Sequence, residues 1–297
     1  MKSSSTADTA GAVPDAPAAP AVARLGWHHL LLDVPADSEV LAYQADPRKG
    51  RLVLGDRRGE TLQIFWRVTH RTPDPLRGLE RVVRALTGDG AREPIFTING
   101  WHACLPERDD LPGLACRYEA RSGALLYAVF PRRSHPRPEL AILESYHPND
   151  GEERAWAAFG LDVTLPAAFA PAAVRPFPLV QSIRFENPRG ESITLCRRSL
   201  LSHLPDGDDL AVLYARNTEH KRPVSRTGIF LHDTVHPGVT LAYTTRGKGG
   251  LEGLIAPTWQ GRVWAWRCPG TDRAYWIDQN APEKHLLHEL QERVRCR

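Results

Sequence analysis

One pattern in this 297-residue chain occurs twice, 131 positions apart, and it limits the fold more than any other feature. The first copy opens Leu30-Leu31-Leu32-Asp33-Val34-Pro35, and the second opens Leu161-Asp162-Val163-Thr164-Leu165-Pro166. In one ungapped register Pro35 falls on Pro166, and Leu52 and Leu54 fall on Ile183 and Phe185. Gly59-Glu60-Thr61-Leu62-Gln63-Ile64 then falls on Gly190-Glu191-Ser192-Ile193-Thr194-Leu195, and Arg67 on Arg198. Three strand-like segments held in a single frame mark an internal duplication.

The physics inside each copy is consistent with that. Leu52 and Leu54, then Leu62, Ile64 and Trp66, alternate with polar neighbours, as a half-buried antiparallel strand requires. Asp56-Arg57-Arg58-Gly59 and Asn187-Pro188-Arg189-Gly190 are turn sequences joining the second strand to the third. A helix is predicted after Thr72-Pro73-Asp74-Pro75, with Asp74 as N-cap and Gly88-Asp89-Gly90 closing it. Leu76, Leu79, Val83 and Leu86 form its apolar face, and Arg77, Arg81 and Arg84 another.

Further strands are expected over 95–104, with a turn at Asn99-Gly100, and over 115–118, 124–130 and 140–143. The second copy is expected to begin near Trp156. It continues with helices at 199–204 and 208–215 and strands at 239–244, 263–267 and 274–277. A C-terminal helix over 283–295 is expected, with Leu286, Leu287, Leu290 and Val294 on one face. The fold class is therefore expected to be α+β. Two similar domains, 24–150 and 151–297, would each be a curved antiparallel sheet flanked by helices, after an Ala/Pro-rich disordered tail over 1–23.

Composition narrows the function classes. A formal net charge of +3 is too small to call for a nucleic-acid partner. Five scattered cysteines, none in a CxxC pair, fit a reducing compartment better than a disulfide framework. The longest apolar runs are strand-sized, so no membrane span is expected, and a cytoplasmic location is the expectation.

Signals for chemistry are sparse. His232 and His236 stand four apart but run into Pro237-Gly238, and His102 lies near Cys104. The Arg246 to Gly250 loop is basic and glycine-rich but lacks phosphate-loop spacing. Ser145, Cys104 and Cys196 sit in no nucleophile motif, and Cys196 falls on Phe65 in the repeat, which favours packing. Trp264 and Trp266 share one strand face, which is either an aromatic binding surface or core.

The order strand, Pro, strand, turn, strand, helix, strands, with Ile142-Leu143-Glu144-Ser145 near the end of the first copy, resembles the Mog1/PsbP/DcrB-like fold. The second copy has Ile277-Asp278 in place of the Ser-bearing end. The resemblance implies an accessory protein that binds a partner protein or assists assembly of a complex, without catalysis or cofactor. Arg77, Arg81, Arg84, Trp264 and Trp266 are the partner-binding candidates. The alternative is a ligand- or metal-binding enzyme subunit whose site lies between the repeats, built from His102, His232, His236 and the 246–250 loop.

Overall fold

The computed structural model describes residues 21–296 except 45, 89–92, 109, 132–137, 159, 178, 205–208, 218–224, 233–235, 247–257, 269–270, 286 and 288–289. Most of the expected N-terminal tail, and the glycines of the 246–250 loop, lie outside them. The first half runs β1 (Val22–Trp27), β2 (Leu30–Pro35), β3 (Glu39–Tyr43), β4 (Lys49–Asp56), β5 (Gly59–Val68), α1 (Pro75–Thr87), β6 (Phe96–Ile98), β7 (Trp101–Cys104), β8 (Gly113–Glu119), β9 (Ala124–Phe130), α2 (Glu139–Glu144) and β10 (His147–Pro148). The second runs β11 (Glu153–Ala158), β12 (Leu161–Pro166), β13 (Ala170–Pro176), β14 (Val180–Glu186), β15 (Ser192–Ser199), α3 (Leu210–Asn217), β16 (Ser225–His232), β17 (His236–Arg246), β18 (Thr258–Cys268), β19 (Arg273–Ala281) and β20 (Val294–Cys296).

The α+β expectation is corrected: the protein is mostly β. Three large antiparallel sheets carry the chain, and the described residues contain three short α-helices. Strands β3-β4-β5-β9-β8-β7-β6 form one seven-stranded sheet and β13-β14-β15-β19-β18-β17-β16 form its counterpart. The third sheet, ordered β10-β2-β1-β11-β12-β20, takes three strands from each half.

The centre of that shared sheet is a local two-fold. Gly26 of β1 pairs with Ala157 of β11, its own counterpart 131 positions on. Tyr43 likewise donates its hydroxyl to the Val174 carbonyl at 2.5 Å, again its own counterpart. Such self-pairing is what an isologous contact between two copies looks like. One face of the shared sheet (Leu25, Trp27, Leu32, Trp156, Val163, Leu165) joins the inner faces of both seven-stranded sheets in a single buried core. The outer faces carry smaller clusters under α1 and α3.

Several elements differ from expectation for tertiary reasons. The apolar run at 140–143 is the helix α2, not a strand; its short length suits either periodicity. The region 199–204 holds the last residue of β15 and the 3-10 turn Leu201–His203. Of the expected C-terminal helix, 286 and 288–289 lie outside the described residues, and the rest holds 3-10 turns and β20, because Leu290 and Val294 reach full burial where β20 pairs with β12. Residues 274–277 are part of β19, which pairs with β15 as β9 pairs with β5, so their counterpart is β9 and not the 140–143 segment. The turn at Asn99-Gly100 is present, with φ of 43° and 74°, the left-handed pair a two-residue hairpin needs.

Candidate functional site

Sequence-predicted candidates fall in three kinds of place. Asp74 caps α1 as expected, accepting from the Arg77 amide at 3.1 Å. Arg77, Arg81 and Arg84 lie on the solvent side of that helix, opposite the buried Leu79 and Val83, and Arg77 pairs with its own cap at 3.3 Å. Trp264 and Trp266 are corrected as a surface: they are 5% and 0% exposed, on the inner face of β18. Trp266 stacks on Tyr275 at 5.6 Å between centroids.

The polar candidates are not brought together. His102 lies on β7 of the first sheet, its Nδ1 3.2 Å from Thr97 Oγ1, whereas His232 and His236 are backbone register partners in the β16–β17 ladder of the other sheet. No group of three metal-ligating side chains occurs among the described residues. Ser145 Oγ donates to the Ile142 carbonyl and accepts from the Asp33 amide, both at 2.8 Å, tying α2 to β2. Burial pushes the Cys116 thiol up to about 12 and the Cys196 thiol up as well, so neither is a thiolate near neutrality.

What stands out is a difference between the two sheet edges. In the first half the edge strand β6 has three residues, and α2 packs against it. Asn99, in the β6–β7 turn, donates to the carbonyls of Glu144 (2.8 Å) and Tyr146 (3.0 Å). Arg117 of β8 bonds the Asn99 carbonyl, pairs with Glu119 at 3.2 Å and lies 4.2 Å over the Tyr146 ring. Burial raises the Tyr146 phenol, which remains a neutral donor to Glu119 at 3.4 Å. This network fastens α2 beside the edge.

The second half is built otherwise. Following the ladders outward from β15 and β5, Thr97 corresponds to Ile229, Asn99 to Leu231, Arg117 to Trp266 and Glu119 to Cys268. Among the described residues the closing network therefore has no counterpart. Its edge strand β16 has eight residues, and Ile229 is 81% exposed, the largest value among the described big apolar side chains.

Beside it lies an open groove lined by Ile229, Val239 and Leu210, with Arg226, Arg267 and Asp209 around them. Arg267 sits 3.9 Å from Asp272, whose carboxyl is held below the usual range chiefly by hydrogen bonding from Ser202. The sequence signal for β16 is an apolar triplet, Ile229-Phe230-Leu231, which lacks the alternation of a half-buried strand.

No protein-family model matches this chain, and no curated protein matches it. Among solved structures it is similar to the apo structure of immunity protein TplEi of the T6SS from Pseudomonas aeruginosa. That likeness covers 93% of this chain and 97% of that one, at 11% identity and a TM-score of 0.30. No helix among the described residues is long and apolar enough to cross a membrane.

Proposed function

We propose that this chain is a non-catalytic binding protein that takes an extended segment of another protein along the β16 edge. The observation that carries it is Ile229, 81% exposed on a long edge strand whose counterpart in the other half is short and closed by α2. Exposed edge strands offer unpaired backbone groups, and beyond the irregularity between Arg226 and Gly228 the 228–232 run of β16 pairs regularly with β17, so its outer side suits strand addition. The partner segment would carry acidic side chains. Arg226 stands on β16 itself and, with Arg267, outnumbers Asp209 among the charged side chains lining the groove beside it.

The test uses the partner recovered with the full chain and then purified. Ile229→Asp and Arg226→Glu are each expected to weaken its binding by about tenfold or more, near 1.4 kcal/mol. Arg81→Glu, on α1, should leave it unchanged. Equal affinity for the wild type and both edge variants would overturn the proposal.

A further inference from the structure

The two seven-stranded sheets also differ on their outer faces. In the first half Arg51, Phe65 and Tyr127 form a row across β4, β5 and β9, because Arg51 pairs with Phe65 and Phe65 with Tyr127. Two residues along, Lys49 pairs with Arg67 and Arg67 with Leu125, which places a second row on the same face. Leu52, Ile64, Trp66 and Leu126 alternate with these residues and belong to the central core.

The second half roofs the equivalent face. Phe65 answers to Cys196, Tyr127 to Trp276 and Lys49 to Val180. All three counterparts pack in one cluster with Leu213 and Tyr214 of α3 and with Leu201. Tyr214 stands edge-on to Trp276 at 6.4 Å, and Arg198, the counterpart of Arg67, donates to Asn217 of the same helix at 2.9 Å. In the first half His70 takes the place of Leu201 and is exposed, and α1 meets the Tyr127 hydroxyl with Gly78, where an added Cβ would lie 3.5 Å away. Phe65 and Tyr127 stay half-buried, and Phe65 enters none of the buried clusters among the described residues. An open groove of about 1010 Å³ lies here, lined by Lys49, Arg51, Phe65, Arg67 and Tyr127, with Asp46 also on its wall.

The cations lining this groove are exposed, and Lys49, Arg51 and Arg67 form no ion pair with a described residue. Lys49 and Arg67 stand directly opposite each other in the ladder, where like charges repel. Arg81 of α1 adds positive charge beside them: burial raises the Tyr127 phenol, and the Arg81 charge opposes that rise. Asp46 is the carboxylate on the groove wall among the described residues, and its Oδ1 accepts from the Arg48 amide at 2.7 Å.

We propose that this face is a second docking surface, which takes an extended acidic segment of a protein through an aromatic or aliphatic anchor. The anchor lies against Phe65 and Tyr127, and carboxylates at alternate positions of the segment meet Arg51 and the Lys49–Arg67 pair. Alternate residues of an extended chain recur at about 6.8 Å, the same spacing that separates Lys49 from Arg51 along β4. Guanidinium forks match the paired oxygens of a carboxylate. A polyphosphate would meet the same cations, but a formal net charge of +3 gives it little attraction at a distance, and Asp46 repels it. The surface lies on the other seven-stranded sheet from β16 and does not depend on that edge.

The bait for the test is the full chain carrying Ile229→Asp, so that the β16 edge takes no part, panned against phage-displayed random peptides. Enriched peptides are expected to combine Asp or Glu at alternate positions with Phe, Tyr, Trp or Leu. By fluorescence anisotropy, a fluorescein-labelled enriched peptide should bind this chain and the wild type equally. Arg51→Gln and Phe65→Ala should each weaken it by about tenfold or more, whereas Arg58→Gln, in the β4–β5 turn outside the groove, should leave it unchanged. Arg51→Gln changes an exposed side chain and should melt at the wild-type temperature. No enrichment, enriched peptides without acidic residues, or an acidic peptide held equally by Arg51→Gln and Phe65→Ala would overturn the surface. Fluorescein-labelled oligothymidylate bound more tightly than the peptide, and lost in Phe65→Ala, would overturn the peptide assignment in favour of a single-stranded nucleic acid.

Discussion

Replacing Gly26 by alanine probes the joint between the halves. Gly26 forms the β1–β11 pair with Ala157, and an added Cβ would lie 2.7 Å from the Ala155 carbonyl oxygen and 2.9 Å from the Ala157 nitrogen. The third neighbour, Leu31 Cδ2 at 3.0 Å, can swing aside, but the two backbone atoms belong to the partner strand. Relief therefore means moving β1 away from β11. Overpacking costs about 1–3 kcal/mol, and a clash with backbone sits at the upper end. The smaller unfolded-state entropy of alanine returns about 0.4–1 kcal/mol. The net loss is about 2 kcal/mol, or a fall in Tm of about 4 °C for a chain of this length.

Calorimetry or denaturant unfolding measures it, with Gly78→Ala as the contrasting variant. Gly78 lies within α1, and its nearest neighbour to a new Cβ is the Tyr127 hydroxyl at 3.5 Å, an ordinary contact. There alanine should stabilise by about 0.5–1 kcal/mol. A Gly26→Ala protein as stable as wild type would refute the account of how the halves are joined.

Two further outcomes follow from buried polar groups. His29 has its pKa lowered from 6.5, chiefly by burial, while its Nε2 donates to the Pro47 carbonyl at 2.7 Å. The unfolded chain thus takes up the proton first, so stability present above pH 6.5 is lost as pH falls towards the lowered folded value. His29→Gln should flatten that decline in urea unfolding between about pH 7.5 and pH 5. Asp278 accepts from Tyr214 at 2.8 Å and Tyr243 at 2.6 Å, all three buried, and burial followed by the Asp278 charge raises the Tyr214 phenol. Tyr214→Phe and Tyr243→Phe should each destabilise by about 1–3 kcal/mol, and the double variant should depart from their sum.

The repeat was legible because its strands alternate cleanly and its turns carry Gly, Asp and Asn at matching positions. β1 and β11 share the same 131 offset yet escaped notice. Val22 to Trp27 and Glu153 to Ala158 are rich in Ala and Gly and lack alternation, since both lie in the middle of the shared sheet. The helical pattern at 283–295 misled because burial of Leu290 and Val294 against the sheet edge outweighs local preference.

Trp264 and Trp266 were rightly placed on one face, but parity within a strand cannot say which face is covered. The edge was hidden for a related reason. It is a contrast between positions that become equivalent only once the ladders are known. Beyond β15 the offset between the halves grows from 131 to 149, so that Val129 answers to Asp278.

The most direct test of the binding account compares those equivalent edge positions in the living cell. A photo-crosslinking residue placed at 229 should capture one protein partner, and capture should fall when Arg226→Glu is added. The same residue placed at 97, on the closed edge, should capture none. Equal capture from both positions, or none from 229, would contradict the assignment of the β16 edge as the partner surface.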